Sequence, residues 1–307
     1  MSFLHNYTSP NVRNVRQITL NEELKTTILS LPRGEERLEL AKQNSQKTNA
    51  YKFEYESNGY WVVGYLLEPK NLQEELPVII KNRGGSREVS QWSDGHMFGT
   101  YTNRYIDWGY IVLMTQYGGN DGGEGRDEFG GADLQDVLNL KKIVDNYRFA
   151  DEKRIGMLGG SRGGLMTYLA LREIEWLKAA VVNSAPTDLH YTYTYREQMK
   201  EFHREMYNVG SDKELDKRSV LKFYKEMHKV PLLIFHGTAD ERVKVKESLN
   251  LYGKLLEIKY PAQLTFFAGA DHYLREVFPE ASRQTRDWFA RFLLQKEEAP
   301  NMEPHGN

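Results

Sequence analysis

Ser161 stands in Gly159-Gly160-Ser161-Arg162-Gly163, at the end of the apolar run Ile155-Gly156-Met157-Leu158 and just ahead of the apolar stretch Leu165 to Leu171. A Gly-x-Ser-x-Gly element where a strand gives way to a helix has a mechanical reason. The serine sits on a turn so sharp that side chains two residues to either side would collide, and glycine at 159 and 163 removes the collision. The turn also lifts the hydroxyl clear of the sheet, over the start of the next helix, where the dipole and free N–H groups favour developing negative charge. Ser161 is therefore a candidate nucleophile, and such a serine needs a base and a group that orients the base. Two later strand-to-loop passages present them: Pro231 to Phe235 runs on through His236-Gly237-Thr238-Ala239 to Asp240, and Gln263 to Phe267 runs on through Ala268-Gly269-Ala270-Asp271 to His272. In this order His272 takes the serine proton as general base, and Asp240 holds its tautomer and stabilises the imidazolium. Glu241 is the substitute acid. Asp271, adjacent to His272, points the wrong way to orient its neighbour's ring, and His236, inside a strand, reads as a satisfied core or loop-base histidine.

The elements that must position these groups are legible as alternating patterns. Tyr51 to Glu56 and Tyr60 to Glu68 flank Asn58-Gly59, a strong hairpin signal. Leu76 to Lys81, Ile111 to Thr115, Ile155 to Leu158, Ala179 to Asn183, Leu232 to Phe235 and Leu264 to Phe267 are short apolar strands. Helical stretches separate most of them, notably Asp133 to Tyr147, Leu165 to Glu173, Val243 to Lys259 and Arg283 to Gln295. Strands alternating with helices imply an α/β fold with a mostly parallel sheet covered on both faces, here of eight strands with the nucleophile after the fifth. Residues 1–50 read as an extension packed on the main domain, with helices near 20–31 and 35–43. Residues 51–297 form the main domain, and 298–307 a loose tail. The longest insertion, 187–229, is mixed helical and aromatic. It reads as a helical cap over the site, because ligands of such sheets bind beyond the carboxyl ends of the strands, against the plainer reading that it covers a sheet edge.

Composition narrows the class of protein. A chain of 307 residues can bury one large core, or a core and a cap. With a net charge of −2 there is no basic surface to suggest nucleic acid or an anionic membrane. No cysteine is present, so disulfides, zinc-thiolate sites and cysteine nucleophiles are excluded together. The eight histidines show no metal-ligand spacing such as His-Glu-x-x-His, and no metal or cofactor is expected. The amino terminus lacks a basic region followed by an apolar one, and no later stretch is apolar enough to span a bilayer, so a soluble cytoplasmic protein is expected. Its expected partner is a small-molecule or short-peptide substrate, with neither nucleic acid nor membrane; assembly into a homo-oligomer stays open.

Five motifs in order carry a wider resemblance: Gly109-Tyr110-Ile111-Val112, Gly118-Gly119-Asn120-Asp121-Gly122-Gly123-Glu124-Gly125, Asp133-Leu134-Gln135-Asp136-Val137, Gly159 to Gly164, and His236-Gly237-Thr238-Ala239-Asp240. From about residue 50 to about 295 the chain resembles the catalytic domain of the prolyl oligopeptidase family of serine peptidases, which implies the α/β-hydrolase fold and a serine hydrolase. Such peptidases usually carry a long β-propeller ahead of that domain, and the roughly 50 residues here are too few for even two blades. Selectivity is then expected from local loops. The resemblance implies an oxyanion hole made by the backbone N–H of Arg162 and a donor from the loop Asn82-Arg83-Gly84-Gly85-Ser86, where Arg83 replaces a tyrosine of proline-specific members. A backbone N–H of Gly84 or Gly85 is the expected second donor. By the same matching, Arg162, Thr187, His190 and Tyr193 would line the acyl pocket. Two readings of the Arg162 side chain stand side by side: a guanidinium facing an acceptor-rich acyl group, or a structural ion pair with a neighbouring acid. Two alternatives to a peptidase are a carboxylesterase and a non-catalytic binding protein of the same fold, since a triad alone does not separate them.

Overall fold

The computed structural model describes Phe3, Tyr7, residues 9–87 and residues 89–306. These divide into two compact units, one of residues 1–81, 87–126 and 135–154, the other of residues 82–86, 127–134 and 155–307.

The first unit holds β1 (Val12–Ile18), β2 (Thr48–Ser57), β3 (Tyr60–Pro69), β4 (Leu76–Asn82) and β5 (Ile111–Thr115), side by side in the order β1-β2-β3-β5-β4. Its helices are α1 (Glu22–Leu29), α2 (Gly34–Lys47), α3 (Asp94–Met97), α4 (Thr100–Asp107), α5 (Leu134–Leu138) and α6 (Leu140–Asn146). The hairpin expected at Asn58-Gly59 is present: Ser57 pairs with Tyr60, and the two turn residues take φ of 52° and 80°, the positive values that a two-residue hairpin turn demands. β5 runs antiparallel to β3 and parallel to β4, and all its residues are buried. The single helix expected from Asp133 to Tyr147 is instead two, α5 and α6, with Asn139 between them donating from Nδ2 to Ser57 Oγ at 3.0 Å. Asp136 is fully buried and accepts hydrogen bonds from Ser57 Oγ (2.6 Å), Tyr60 Oη (3.1 Å) and the Gly118 N–H (2.8 Å), so it ties the hairpin to the Gly118 loop. Among the described residues there are nine strands, the eight read from the sequence and β1, which lies antiparallel on β2.

The second unit contains residues 155–160 of β6 (Ala150–Gly160), then β7 (Leu177–Asn183), β8 (Leu232–Gly237) and β9 (Ala262–Phe267), neighbours in that order and parallel throughout. Parallel neighbours need a crossover, and helices supply each one. α7 (Arg162–Glu173) links β6 to β7. α8 (Leu189–Tyr195), α9 (Glu197–Tyr207), α10 (Asp212–Arg218) and α11 (Val220–Phe223) lie between β7 and β8. α12 (Lys246–Glu257) links β8 to β9, and α13 (Phe278–Phe289) follows β9 and continues as a π-helical turn to Leu294. Residues 162–171 of α7 are all buried, and β8 is buried along its whole length, the near-continuous apolar character of a strand covered on both faces. Because β6 to β9 run the same way, the loops at their carboxyl ends emerge along one edge. No helix of the described residues is long and apolar enough to cross a membrane.

Candidate active site

Ser161 sits between the last residue of β6 and the first of α7 with φ 55° and ψ −125°, a conformation that side chains with a Cβ adopt only where the surroundings enforce it. Its N–H donates to the carbonyl of Asn183, the last residue of β7, at 2.8 Å, and its own carbonyl accepts from the N–H groups of Gly164 and Leu165. The flanking glycines are required by contact. A Cβ at Gly159 would lie 2.1 Å from the Gly163 carbonyl oxygen, and one at Gly163 would lie 2.4 Å from the Asn82 carbonyl oxygen.

Asp240, three residues past β8, is buried, and every oxygen of its carboxylate is used. Oδ1 accepts from the N–H groups of Arg242 (2.8 Å) and Val243 (2.9 Å), while Oδ2 lies 2.7 Å from His272 Nδ1 and 3.3 Å from His236 Nε2. Burial pushes this carboxyl up, but the hydrogen bonds from His236 and His272, the His272 charge and the Val243 N–H outweigh it, and Asp240 is held well below the usual carboxylate range. A carboxylate against Nδ1 places the imidazole hydrogen there and leaves Nε2 of His272 as the acceptor, the tautomer that a general base needs. His236 is fully buried with both nitrogens occupied: Nε2 donates to the Val243 carbonyl at 2.8 Å, and Nδ1 accepts from Ser248 Oγ at 2.7 Å. It is the core histidine expected, with the added property of touching Asp240. Glu241 is exposed and pairs with Lys244 at 2.7 Å, and Asp271 accepts from the Tyr273 N–H at 2.9 Å.

The loop 82–86 lies against this turn. A Cβ on Gly84 would meet the Gly160 carbonyl oxygen at 3.1 Å and Ser161 Cβ at 3.6 Å, and Gly85 takes φ 69°. Of the two readings of Arg162, the structure takes the ion pair. Its guanidinium is 2% exposed; Nη2 bonds Asp127 Oδ1 (2.6 Å) and Asp133 Oδ2 (2.7 Å), and Nη1 bonds Asp127 Oδ2 (2.9 Å) and the Gly85 carbonyl (3.2 Å). The Phe129 ring lies beneath it, 5.0 Å from the guanidinium carbon. The remaining residues matched to the acyl pocket are held as follows. Thr187 donates its N–H to Glu247 Oε2 at 2.8 Å and its hydroxyl to the Glu247 carbonyl at 2.9 Å. His190 Nε2 is 2.9 Å from Asp216 Oδ1. Tyr193 Oη is 2.6 Å from His203 Nδ1, and the His203 ring lies 4.0 Å from Phe129, so Tyr193 joins the Arg162 cluster while Thr187 and His190 do not.

Three residues with large roles in this region escape sequence reasoning. Asp127 holds Arg162. His203 is buried with its pKa pushed down to about 3, first by burial and then by the charges of Arg162, Arg196 and Arg218. Glu247, also buried, accepts from Thr187 and Asp188 N–H groups, the Thr192 hydroxyl (2.6 Å) and Tyr195 Oη (3.0 Å), which joins α8 to α12; burial still raises its pKa against those bonds. The one advance signal was for Asp127: a buried arginine needs an acid. Among the described residues no group of three or more histidine, cysteine, aspartate or glutamate side chains could hold a metal ion.

Known proteins resemble this chain in sequence and in fold. The sequence model of the prolyl oligopeptidase family matches residues 96–296. The peptidase YtmA of Bacillus subtilis (strain 168) is 26% identical over 232 residues, 75% of this chain and 88% of that protein. The acylamino-acid-releasing enzyme of Mus musculus is 23% identical over 70% of this chain and 31% of its own length. The solved structure of Pyrococcus horikoshii acylaminoacyl peptidase superposes with a TM-score of 0.71 at 22% identity, covering 86% of this chain and 45% of that one, a likeness of fold. The chain thus spans most of YtmA but less than half of the mouse and Pyrococcus proteins.

Proposed function

Because the chain belongs to the prolyl oligopeptidase family of α/β-hydrolase serine peptidases, we propose that it hydrolyses small ester, amide or short-peptide bonds through an acyl-enzyme on Ser161. Ser161 Oγ attacks the substrate carbonyl while His272 Nε2 takes its proton. The N–H of Arg162 and one from Gly84 or Gly85 stabilise the oxyanion, and His272 then returns the proton to the leaving group. Water then attacks the acyl carbon as His272 Nε2 takes its proton, and His272 passes that proton to Ser161 Oγ as the acid product leaves. The observation that carries this reading is the 2.7 Å contact of His272 Nδ1 with Asp240 Oδ2, on loops leaving the same edge of parallel strands as the positive-φ turn of Ser161. In this reading residues 187–229 form a cap over the acyl pocket, supported by the Glu247 hydrogen bonds that fix its first helix beside the Asp240 loop. The Tyr193 side of that pocket is its aromatic wall. In this reading the enzyme works in the cytoplasm without cofactor or nucleic acid; the lack of cysteine leaves no thiolate to bind a metal, and the net charge of −2 gives no support to a nucleic-acid partner.

The test is Ser161→Ala in the full chain, assayed on p-nitrophenyl esters and on aminoacyl and acyl-aminoacyl anilides. Loss of all turnover on every substrate of the parent supports the reading, and residual turnover above a few percent overturns the nucleophile assignment. The anilides are included because the mouse and Pyrococcus relatives are acylaminoacyl enzymes by name. Parent activity on esters alone favours the carboxylesterase.

A further inference from the structure

We propose that Asp127 and Asp133 are positioning residues for the oxyanion hole, acting through the side chain of Arg162. The inference rests on Ser161 as nucleophile and on the N–H groups of Arg162 and Gly84 or Gly85 as donors. Those donors come from segments far apart in sequence, the start of α7 and the loop 82–86, and their separation must stay fixed to within a fraction of an ångström for the hole to work. The Arg162 side chain spans the two. Its backbone begins α7, and its Nη1 reaches the Gly85 carbonyl at 3.2 Å.

A guanidinium is planar, so two contacts fix the direction of all its N–H bonds. Asp127 supplies both in a fork, 2.6 Å to Nη2 and 2.9 Å to Nη1, and thereby aims the remaining Nη1 hydrogen at the Gly85 carbonyl. Asp133 adds 2.7 Å to Nη2 and is itself fixed by the N–H groups of Glu128, Gly130 and Gly131 at 3.2, 3.0 and 2.9 Å. From the loop side Arg83, also buried, sends Nη1 to the Gly84 carbonyl (3.3 Å) and Nη2 to within 3.8 Å of Asp127 Oδ2. The set is two arginines against two aspartates, neutral as a whole, and both carbonyls of the Gly84-Gly85 pair are held by guanidinium groups. A buried ion network adds little net stability over a well-packed apolar substitute; what it supplies is direction. Its position, joining both donor segments, gives that direction a use.

The experiment measures kcat and KM on p-nitrophenyl butyrate for the parent, Asp127→Asn and Arg162→Lys. Each is normalised to sites titrated by a fluorophosphonate, with inhibition by an alkyl trifluoromethyl ketone, whose adduct carries the oxyanion. The clamp predicts that kcat per titrated site falls about tenfold to a hundredfold in both variants, while KM moves by less than about twofold and the ketone inhibition constant rises with the loss in kcat. Lysine keeps the charge but cannot bridge four acceptors, so it supplies the answer if Asp127→Asn does not fold. Unchanged kcat and ketone affinity per titrated site, with only the melting temperature or the titratable fraction lowered, would make the network purely structural and overturn the proposal. A parent protein that is not labelled at Ser161 overturns the nucleophile assignment first, and the clamp with it.

Discussion

Two buried acidic centres in the second unit are solved in opposite ways. Asp240 is surrounded by histidines, Asp127 and Asp133 by arginines. Around Asp240 every partner can exchange a proton or is a neutral backbone donor, and the carboxyl is kept ionised by hydrogen bonds that also define the His272 tautomer. Around Asp127 and Asp133 the cation never gives up its proton. Burial and the like charge of Asp127 raise Asp133 even against Arg162, and the pair stays in place because the guanidinium is shared between them. In the proposed mechanism the difference separates a centre where a proton moves from one where a direction is held.

That contrast can be broken most sharply at the histidines. His272→Ala should lower kcat by about a millionfold, the scale seen when a triad base is removed, with the fold retained by circular dichroism. Removing His236, which touches the same carboxylate, should act chiefly on stability; an equal catalytic loss in a well-folded variant would leave the base unassigned. Asp240→Asn comes next, with a fall of about 10⁴-fold in kcat, because an amide no longer enforces the Nδ1–H tautomer. A loss smaller than about tenfold in a folded variant would mean that another acid orients His272, with Glu241 the first to examine.

On the arginine side, besides the loss of kcat expected for Asp127→Asn and Arg162→Lys, stability should fall. Arg162→Met strands two buried carboxylates and should destabilise the protein by about 3–5 kcal/mol in urea unfolding, whereas a loss under about 1 kcal/mol would mean that water or Arg83 replaces the guanidinium readily. The last effect concerns pH and is read as a slope. His203 is neutral in the folded protein down to about 3 but would charge near 6.5 when unfolded, so between those values the unfolded state binds the extra proton and stability falls as pH falls. His203→Gln should therefore flatten the stability profile over that window by about 1.4 kcal/mol per pH unit, the value of one proton. An unchanged slope in equilibrium unfolding would show that the imidazole is already charged in the folded state.

How much of this could be read in advance follows from what each residue depends on. Ser161, Asp240 and His272 are announced by local grammar, an apolar run breaking into glycine and a polar residue, because each needs only its own strand and loop. The eight apolar strands were visible for the same reason. β1 was not: in Val12-Arg13-Asn14-Val15-Arg16-Gln17-Ile18 the apolar residues do not alternate, and the pairing slips between Arg13 and Arg16, where Asn14 takes φ 50°. The break at Asn139, whose side chain bonds Ser57 far away in sequence, leaves no mark in the apolar pattern from Asp133 to Tyr147. The need of Arg162 for some acid was legible, but that Asp127 meets it was not, nor was His203, because their roles are set by Arg162 and Phe129, which come from other segments of the chain. For Arg162 the sequence leaves two uses of the guanidinium open, and the contact that separates them is with an acid 35 positions away.

In the proposed mechanism one hydroxyl, on the Ser161 turn, carries the acyl group. The direct measurement is mass-spectrometric mapping of the fluorophosphonate adduct on the parent chain after proteolysis. A single adduct is expected on Ser161, in the peptide containing Gly159 to Gly164, absent after Ser161→Ala and strongly slowed after His272→Ala. An adduct on any other residue, or none on a protein that still hydrolyses p-nitrophenyl esters, would contradict it.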